Sequence, residues 1–276
     1  MARKRLTEAF PWLLPLRKKQ RRFFFYAAMR RAGADYAREL SRERLPVLLF
    51  ESRIPMINES TGFDRKYQEN KVFNLQLAAK TIDGLLIKPG ETFSFWQAAR
   101  YADRETPYRE GLAEINGRLT TEYGGGLCML SNLLFWVLLH APLTVVERHG
   151  HREKDFPEPE SDAPHGVDAT VAEGWLDLKM KNETDMSFQL QISFTEGEMV
   201  GRVLASREEG LRYEVLNGTL RYIREDGKVY ELAQVLRKQT DLTGNVFSRE
   251  ELYWNRCRIG YPLPEGTEIE MREEGQ

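Results

Sequence analysis

The residues of this chain best placed to do chemistry are a cysteine that follows three glycines and the histidines and aspartate downstream of it. Gly124, Gly125 and Gly126 let the backbone turn sharply and approach a ligand closely, and they lead straight into an apolar run, LCMLSNLLFWVLL, that begins at Leu127. If that run is a helix, the sulfur of Cys128 sits in its first turn. There the unpaired amides and the positive end of the helix dipole favour thiolate, the reactive form of the side chain. The same amides are suited to a developing oxyanion. Against this stands a plainer reading, in which a lone cysteine is a small core residue and the glycines exist only to let a buried helix pack tightly.

A cysteine nucleophile needs a base. His149 and His151 follow the next strand-like segment, and Asp168 opens the segment DATV at 168–171. In the catalytic reading His151 takes the thiol proton, His149 is its alternative, and Asp168 orients the imidazole through its other nitrogen. In the plain reading the histidines are solvated loop residues and Asp168 caps a turn. His140 and His165 are assigned to that second class, as exposed residues. The glycines and Ser131 are the candidates for contact with substrate. A zinc site built on His149 and His151 with Cys128 or Asp168 is the competing chemistry, but neither a His-Glu-x-x-His nor a paired Cys-x-x-Cys supports it, so neither metal nor cofactor is expected. Cys257, inside a strand pattern, reads as a packed residue.

The elements around these residues follow from periodicity. Residues 17–43 carry a helical pattern that stops before Leu45-Pro46, and residues 47–52 read as a strand. Val72, Leu75, Ala79 and Ile82 make one buried stripe on a helix over 67–83 that Gly84 closes. Leu85–Ile87 and Thr92–Trp96 read as strands joined by a Pro89-Gly90 turn, whereas residues 101–123 look like loops. The apolar run after the glycines predicts a helix buried in the centre, ended by Ala141-Pro142 and followed by a strand over 143–148. Helix and strand are each about 20 Å long, so an antiparallel pair would return His149 to the level of Cys128, with His151 just past it. From Asp168 the period becomes two, and Asn217-Gly218 and Asp226-Gly227 mark hairpins. The fold class is therefore α+β: a mixed core around a central helix, then a C-terminal antiparallel meander. The expected organisation is a basic helical arm at 1–45, a core domain at 46–182 and a β-rich region at 183–276.

With 276 residues and 41% apolar content the chain can build a real core without staples. Two distant cysteines are no disulfide framework, which fits a reducing compartment or no redox constraint. The net charge of −2 hides an asymmetry: residues 1–31 carry ten Lys or Arg against Glu8 alone, leaving −11 for the remainder. A basic segment with interleaved aromatics suits the surface of an anionic membrane; its alternative is a surface helix with Phe23, Phe24 and Tyr26 docked on the body. Nucleic acid is not expected, because the rest of the chain is acidic and without a binding motif. The N-terminus makes a poor signal peptide and no run is long and apolar enough to span a bilayer, so the expected location is cytoplasmic or peripheral to the inner membrane face.

The segment GGGLCMLSN at 124–132 strongly resembles the VanW family, and the resemblance extends in one order through NLQLAAKTIDGLLIKPGETFSFW at 74–96, ERHGHR at 147–152, GVDATV at 166–171 and LDLKMKN at 176–182. The stretch RLTEAFPWLLPLRKKQ at 5–20 is similar to the compact form of the family found beside glycopeptide-resistance clusters. What the resemblance implies is a link to peptidoglycan and vancomycin resistance, and a cysteine-dependent L,D-transpeptidase-like acyl transfer on cell-wall stem peptides with Cys128 as nucleophile. His151, His149 and Asp168 match family positions. One departure stands out: Met129 occupies the place where the family usually has Gln, and a thioether cannot donate a hydrogen bond. The expected partner is a stem peptide or its lipid-linked precursor. The alternative is a non-catalytic accessory module that binds the precursor, or a membrane partner, through the same glycine-lined groove.

Overall fold

The computed structural model describes residues 10–58, 62–115, 118–154 and 161–271. Residues 1–9 of the basic arm lie outside the described residues. Helix α1 (Leu14–Arg31) runs on from a short 3-10 turn and buries Tyr26 and Met29 at its C-terminal end. Of the three aromatics expected to dock, only Tyr26 does. Its hydroxyl donates to Glu173 Oε1 (2.9 Å) and to the carbonyl of Trp96 (3.2 Å), while Phe23 and Phe24 face outward.

The helix does not continue through residue 43. After Gly33, which takes a positive φ, the chain lies along two strands: Ala37 N donates to Thr92 O, Leu86 N to Glu39 O and Ser41 N to Gly84 O. Edge pairing satisfies these amides in place of a helix, which is why a helical pattern of side chains does not decide the segment. β1 (Val47–Pro55) follows, then α2 (Arg65–Ala79), whose N-cap Asp64 accepts from Lys66 N at 2.9 Å. Leu75, Ala79 and Ile82 of its stripe are buried.

β2 (Leu86–Ile87) and β3 (Thr92–Ser94) are short. The strand expected to reach Trp96 turns at Ser94 into α3 (Phe95–Ala99), because Ser94 caps it by accepting from Gln97 N at 3.1 Å. The polar stretch expected to be loops instead holds a hairpin, β4 (Glu110–Ile115) and β5 (Arg118–Tyr123). Central helix α4 (Leu127–Leu138) lies in the core, with Leu130, Leu134, Phe135 and Leu138 fully buried.

β6 (Leu143–Glu147), β8 (Lys179–Asn182) and β3 form one small sheet, in the order β3-β8-β6. β9 (Phe188–Phe194) and β10 (Glu198–Ala205) join β1 and β2 in a second, ordered β1-β10-β9-β2. The boundary expected at 182/183 thus falls between β8 and β9, and β1 of the core pairs with β10 beyond it. β11 (Leu211–Glu225), β12 (Lys228–Asp241) and β13 (Val246–Ile259) make the long antiparallel meander. Its edges are closed by short parallel pairings with β14 (Ile269–Met271) and β7 (Glu153–Lys154).

Asp226-Gly227 forms the expected hairpin turn, with φ of 50° and 72°. Asn217-Gly218 does not. It sits inside β11 at an irregularity in the pairing with β12, where Asn217 Nδ2 donates to the carbonyls of His165 (2.9 Å) and Gln234 (3.2 Å). A side chain with outside partners turned a hairpin signal into a bulge.

Candidate functional site

The glycine turn is shaped by steric need. Gly124 and Gly126 have φ of 75° and 103°, a region open to glycine, and a Cβ on Gly125 would overlap the carbonyl of Gly111 in β4. Asn74 of α2 ties the turn down: its Nδ2 donates to the carbonyls of Gly125 (3.0 Å) and Arg109 (2.9 Å), and its Oδ1 accepts from Arg109 N (2.8 Å). Gly126 is the N-cap of α4, so Cys128 is the second residue of the helix. Its thiol is half-buried and donates to the carbonyl of Val171 at 3.6 Å.

Val171 belongs to a four-residue strap, Asp168–Val171, that is stitched on both sides. Toward α4, Ser131 Oγ donates to Ala169 O (2.5 Å) and Ala169 N donates to Asn132 Oδ1 (2.7 Å). Toward the turn that follows β6, Thr170 N donates to His149 O (2.6 Å) and Arg148 Nε to Asp168 O (2.6 Å). The strap therefore spaces the cysteine helix from the histidine turn with backbone atoms that have little freedom left.

Asp168 is buried and anchors that turn. Its Oδ2 accepts from the backbone amide of His151 (2.8 Å) and from His151 Nδ1 (2.7 Å), and its Oδ1 accepts from the Arg148 guanidinium. Burial pushes its pKa up, but the His151 hydrogen bond and the charges of His151, Arg148 and Lys154 outweigh it and hold the carboxyl well below its usual range. A carboxylate that accepts from Nδ1 fixes the proton of a neutral imidazole on that nitrogen and gives Nε2 the basic character. Arg148 is locked in turn by Gly166 O (2.8 Å) and Asn255 Oδ1 (3.0 Å), and lies 4.3 Å from the centre of the Tyr253 ring. His149 is directed elsewhere: its Nε2 meets Glu147 Oε1 at 3.0 Å, and Glu147 also accepts from Lys179 at 2.6 Å.

Cys128, His149, His151, Asp168 and the three glycines line one cleft of roughly 1230 Å³. Met129 and Asn132 also line it. Ser131 is fully buried, and its hydroxyl is engaged by the strap and by the carbonyl of Cys128 (3.1 Å). Among the described residues no three His, Cys, Asp or Glu side chains converge as a metal-ligand set. His140, expected to be exposed, is buried, stacked on Phe50 with ring centres 3.5 Å apart, and burial lowers its pKa to about 4. Cys257 is fully buried in β13.

Three residues of the site escaped sequence reasoning. Arg148 and Asn132 carry no motif of their own. Lys71 of α2 is 6% exposed and lines the cleft where a Cβ on Gly126 would overlap its side chain. Its position one residue before the Val72–Ile82 stripe was the available signal, since a lysine beside a buried stripe is partly carried inward.

These features define an α+β protein in which a glycine-turn cysteine and a buried carboxylate–imidazole pair face the same cleft. The family model for VanW like protein matches residues 70–204. The chain is 53% identical over 271 residues to the Vancomycin B-type resistance protein VanW of Enterococcus faecalis, covering 98% of each. A second relative, the Uncharacterized protein YoaR of Bacillus subtilis, is 30% identical over 155 residues, 56% of this chain and 47% of that protein. This chain belongs to the VanW family, as the motifs at 74–96 and 124–182 imply. No solved structure gives a significant match.

Proposed function

We propose that this protein acts in glycopeptide resistance as a cysteine acyltransferase on peptidoglycan stem peptides. The observation that carries the reading is the strap: Val171 holds the Cys128 thiol and Asp168, three residues earlier, holds His151, so one rigid segment sets the position of both. In the reaction the thiol gives its proton to His151 Nε2 and the sulfur adds to a peptide carbonyl. The amides of the first turn of α4 receive the oxyanion. Collapse of the intermediate breaks the C–N bond, and His151 returns the proton to the leaving amine. The resulting thioester is attacked by an acceptor amine, which restores the thiol and forms a new amide. Muropeptide analysis of cells expressing the wild type or Cys128→Ala tests this: crosslinks present in the first and lost in the second support it, and identical profiles overturn it.

The second reading is a binding module without catalysis. A thiol that donates to a carbonyl is stabilised in its neutral form, and Met129 supplies no donor where the family usually has Gln. In both readings the exposed face of the 3-10 turn and α1 is a contact for anionic lipid, which suits a lipid-linked precursor. Trp12 (74% exposed), Leu16, Phe23 (68%) and Phe24 stand outward among Arg17, Lys18, Lys19, Arg21 and Arg22, and Lys18, Arg21 and Arg22 border the cleft.

A further inference from the structure

Lys71 is a buried cation on α2. Among the described residues no carboxylate pairs with it. The carboxylates that line the cleft are engaged elsewhere: Asp168 by Arg148 and His151, Glu122 by Lys18 (2.8 Å), Glu173 by Arg22 (2.9 Å), Glu153 by Arg258 (2.7 Å), and Asp103 accepts from the Tyr123 hydroxyl (3.3 Å). Burial alone pulls the pKa of Lys71 down to about 8. A buried, unpaired charge destabilises a fold unless something outside the chain compensates it.

Its place says what that partner is. The lysine stem packs on Gly126, the N-cap of the twelve-residue helix α4, and Lys71 lines the same cleft as the glycine turn. An ammonium beside the positive end of a helix attracts an anion, and among the described residues no carboxylate supplies one to Lys71. We infer that Lys71, beside the N-cap glycine of α4, forms the seat of a substrate carboxylate and leaves the first-turn amides to the oxyanion, so that the cleft takes a peptide with a free carboxylate beside the bond that reacts. The inference rests on the acyl-transfer reading for the identity of the peptide, but the seat itself does not depend on catalysis. Lys71 is then a specificity-determining residue, and its cost to stability is offset when the carboxylate binds.

The test uses two alkylating agents of similar size and opposite character. Iodoacetate carries the carboxylate and iodoacetamide does not, and mass mapping of the full-length native chain gives the rate of each at Cys128. The ratio of the two rates should fall about tenfold in Lys71→Met and in Lys71→Gln, the loss expected for one charge-assisted contact. An unchanged ratio in a folded variant overturns the seat. A second arm uses the Cys128→Ala chain and a capped Lys-D-Ala dipeptide as free acid or amide. The acid should raise the melting temperature more than the amide, and the difference should vanish on adding Lys71→Met. Protection by inorganic phosphate that needs Lys71, with none from the acid, overturns the carboxylate in favour of phosphate. If Cys128 resists both reagents the acyl-transfer reading fails, and the dipeptide arm still decides the seat.

Discussion

Asp168 holds His151 from two directions, accepting from its imidazole at 2.7 Å and from its backbone amide at 2.8 Å with the same carboxylate oxygen. Ring and backbone are thereby fixed together, and the second oxygen is fixed by Arg148.

Asp168→Asn should destabilise the fold by about 3 to 5 kcal/mol, because it leaves the buried Arg148 without its counter-charge. The folded carboxyl lies below its ordinary value of 3.8, so the stability it contributes is complete above that value and is lost as pH falls through the folded value. Denaturant unfolding of both proteins at pH 7 and near pH 3 checks this. The gap between them should narrow in acid, and a constant gap would contradict the assignment.

Cys128 should be alkylated in the native protein and Cys257 only after denaturation. One sits half-buried at a helix start facing a cleft, and the other is fully buried in β13. Mapping of the labelled peptides decides it. Equal labelling would return Cys128 to the inert core class.

Lys71→Met should stabilise the ligand-free protein at neutral pH by about 1 to 3 kcal/mol, since it removes an uncompensated charge. Between about 8, where the folded lysine loses its proton, and 10.5, where the unfolded one does, the folded state binds fewer protons. Wild-type stability therefore gains from this lysine as pH rises through that window, and the advantage of the variant shrinks. Unfolding curves at pH 7 and pH 10 measure it.

Ser131→Ala should cost about 1 to 3 kcal/mol, the penalty for stranding the buried carbonyl of Ala169. If Ser131 touches substrate instead, stability would hold while peptide binding weakens. Thermal unfolding beside a binding assay separates the two.

Vesicles containing anionic lipid should bind the full-length protein and release it as salt rises. Replacing Trp12, Phe23 and Phe24 with Ala should weaken binding at every salt concentration. Co-sedimentation tests this, and equal binding by wild type and variant would leave α1 as a surface helix alone.

Local pattern by itself determined the glycine turn, the buried helix after Cys128, the stripe on α2 and the long meander. Each depends on steric limits at glycine or on a period of apolar residues, both written in neighbouring positions. The chain order of Cys128, His149, His151 and Asp168 also marked where chemistry concentrates. What only the tertiary structure decided is how those residues are held. Asp168–Val171 becomes a strap because Ser131 and Asn132, one turn along α4, reach its backbone, and Arg148 closes it from the other side. The same long-range pairing laid residues 35–41 along β2 and β3 rather than in a helix, and made Asn217-Gly218 a bulge rather than a turn. Lys71 is the sharpest case: its place beside a buried stripe says that it is carried partly inward, but not that its side chain is covered. Its burial follows from the docking of α2 on a turn more than fifty residues away, and a pattern read along the chain holds no information about which distant backbone will cover a side chain.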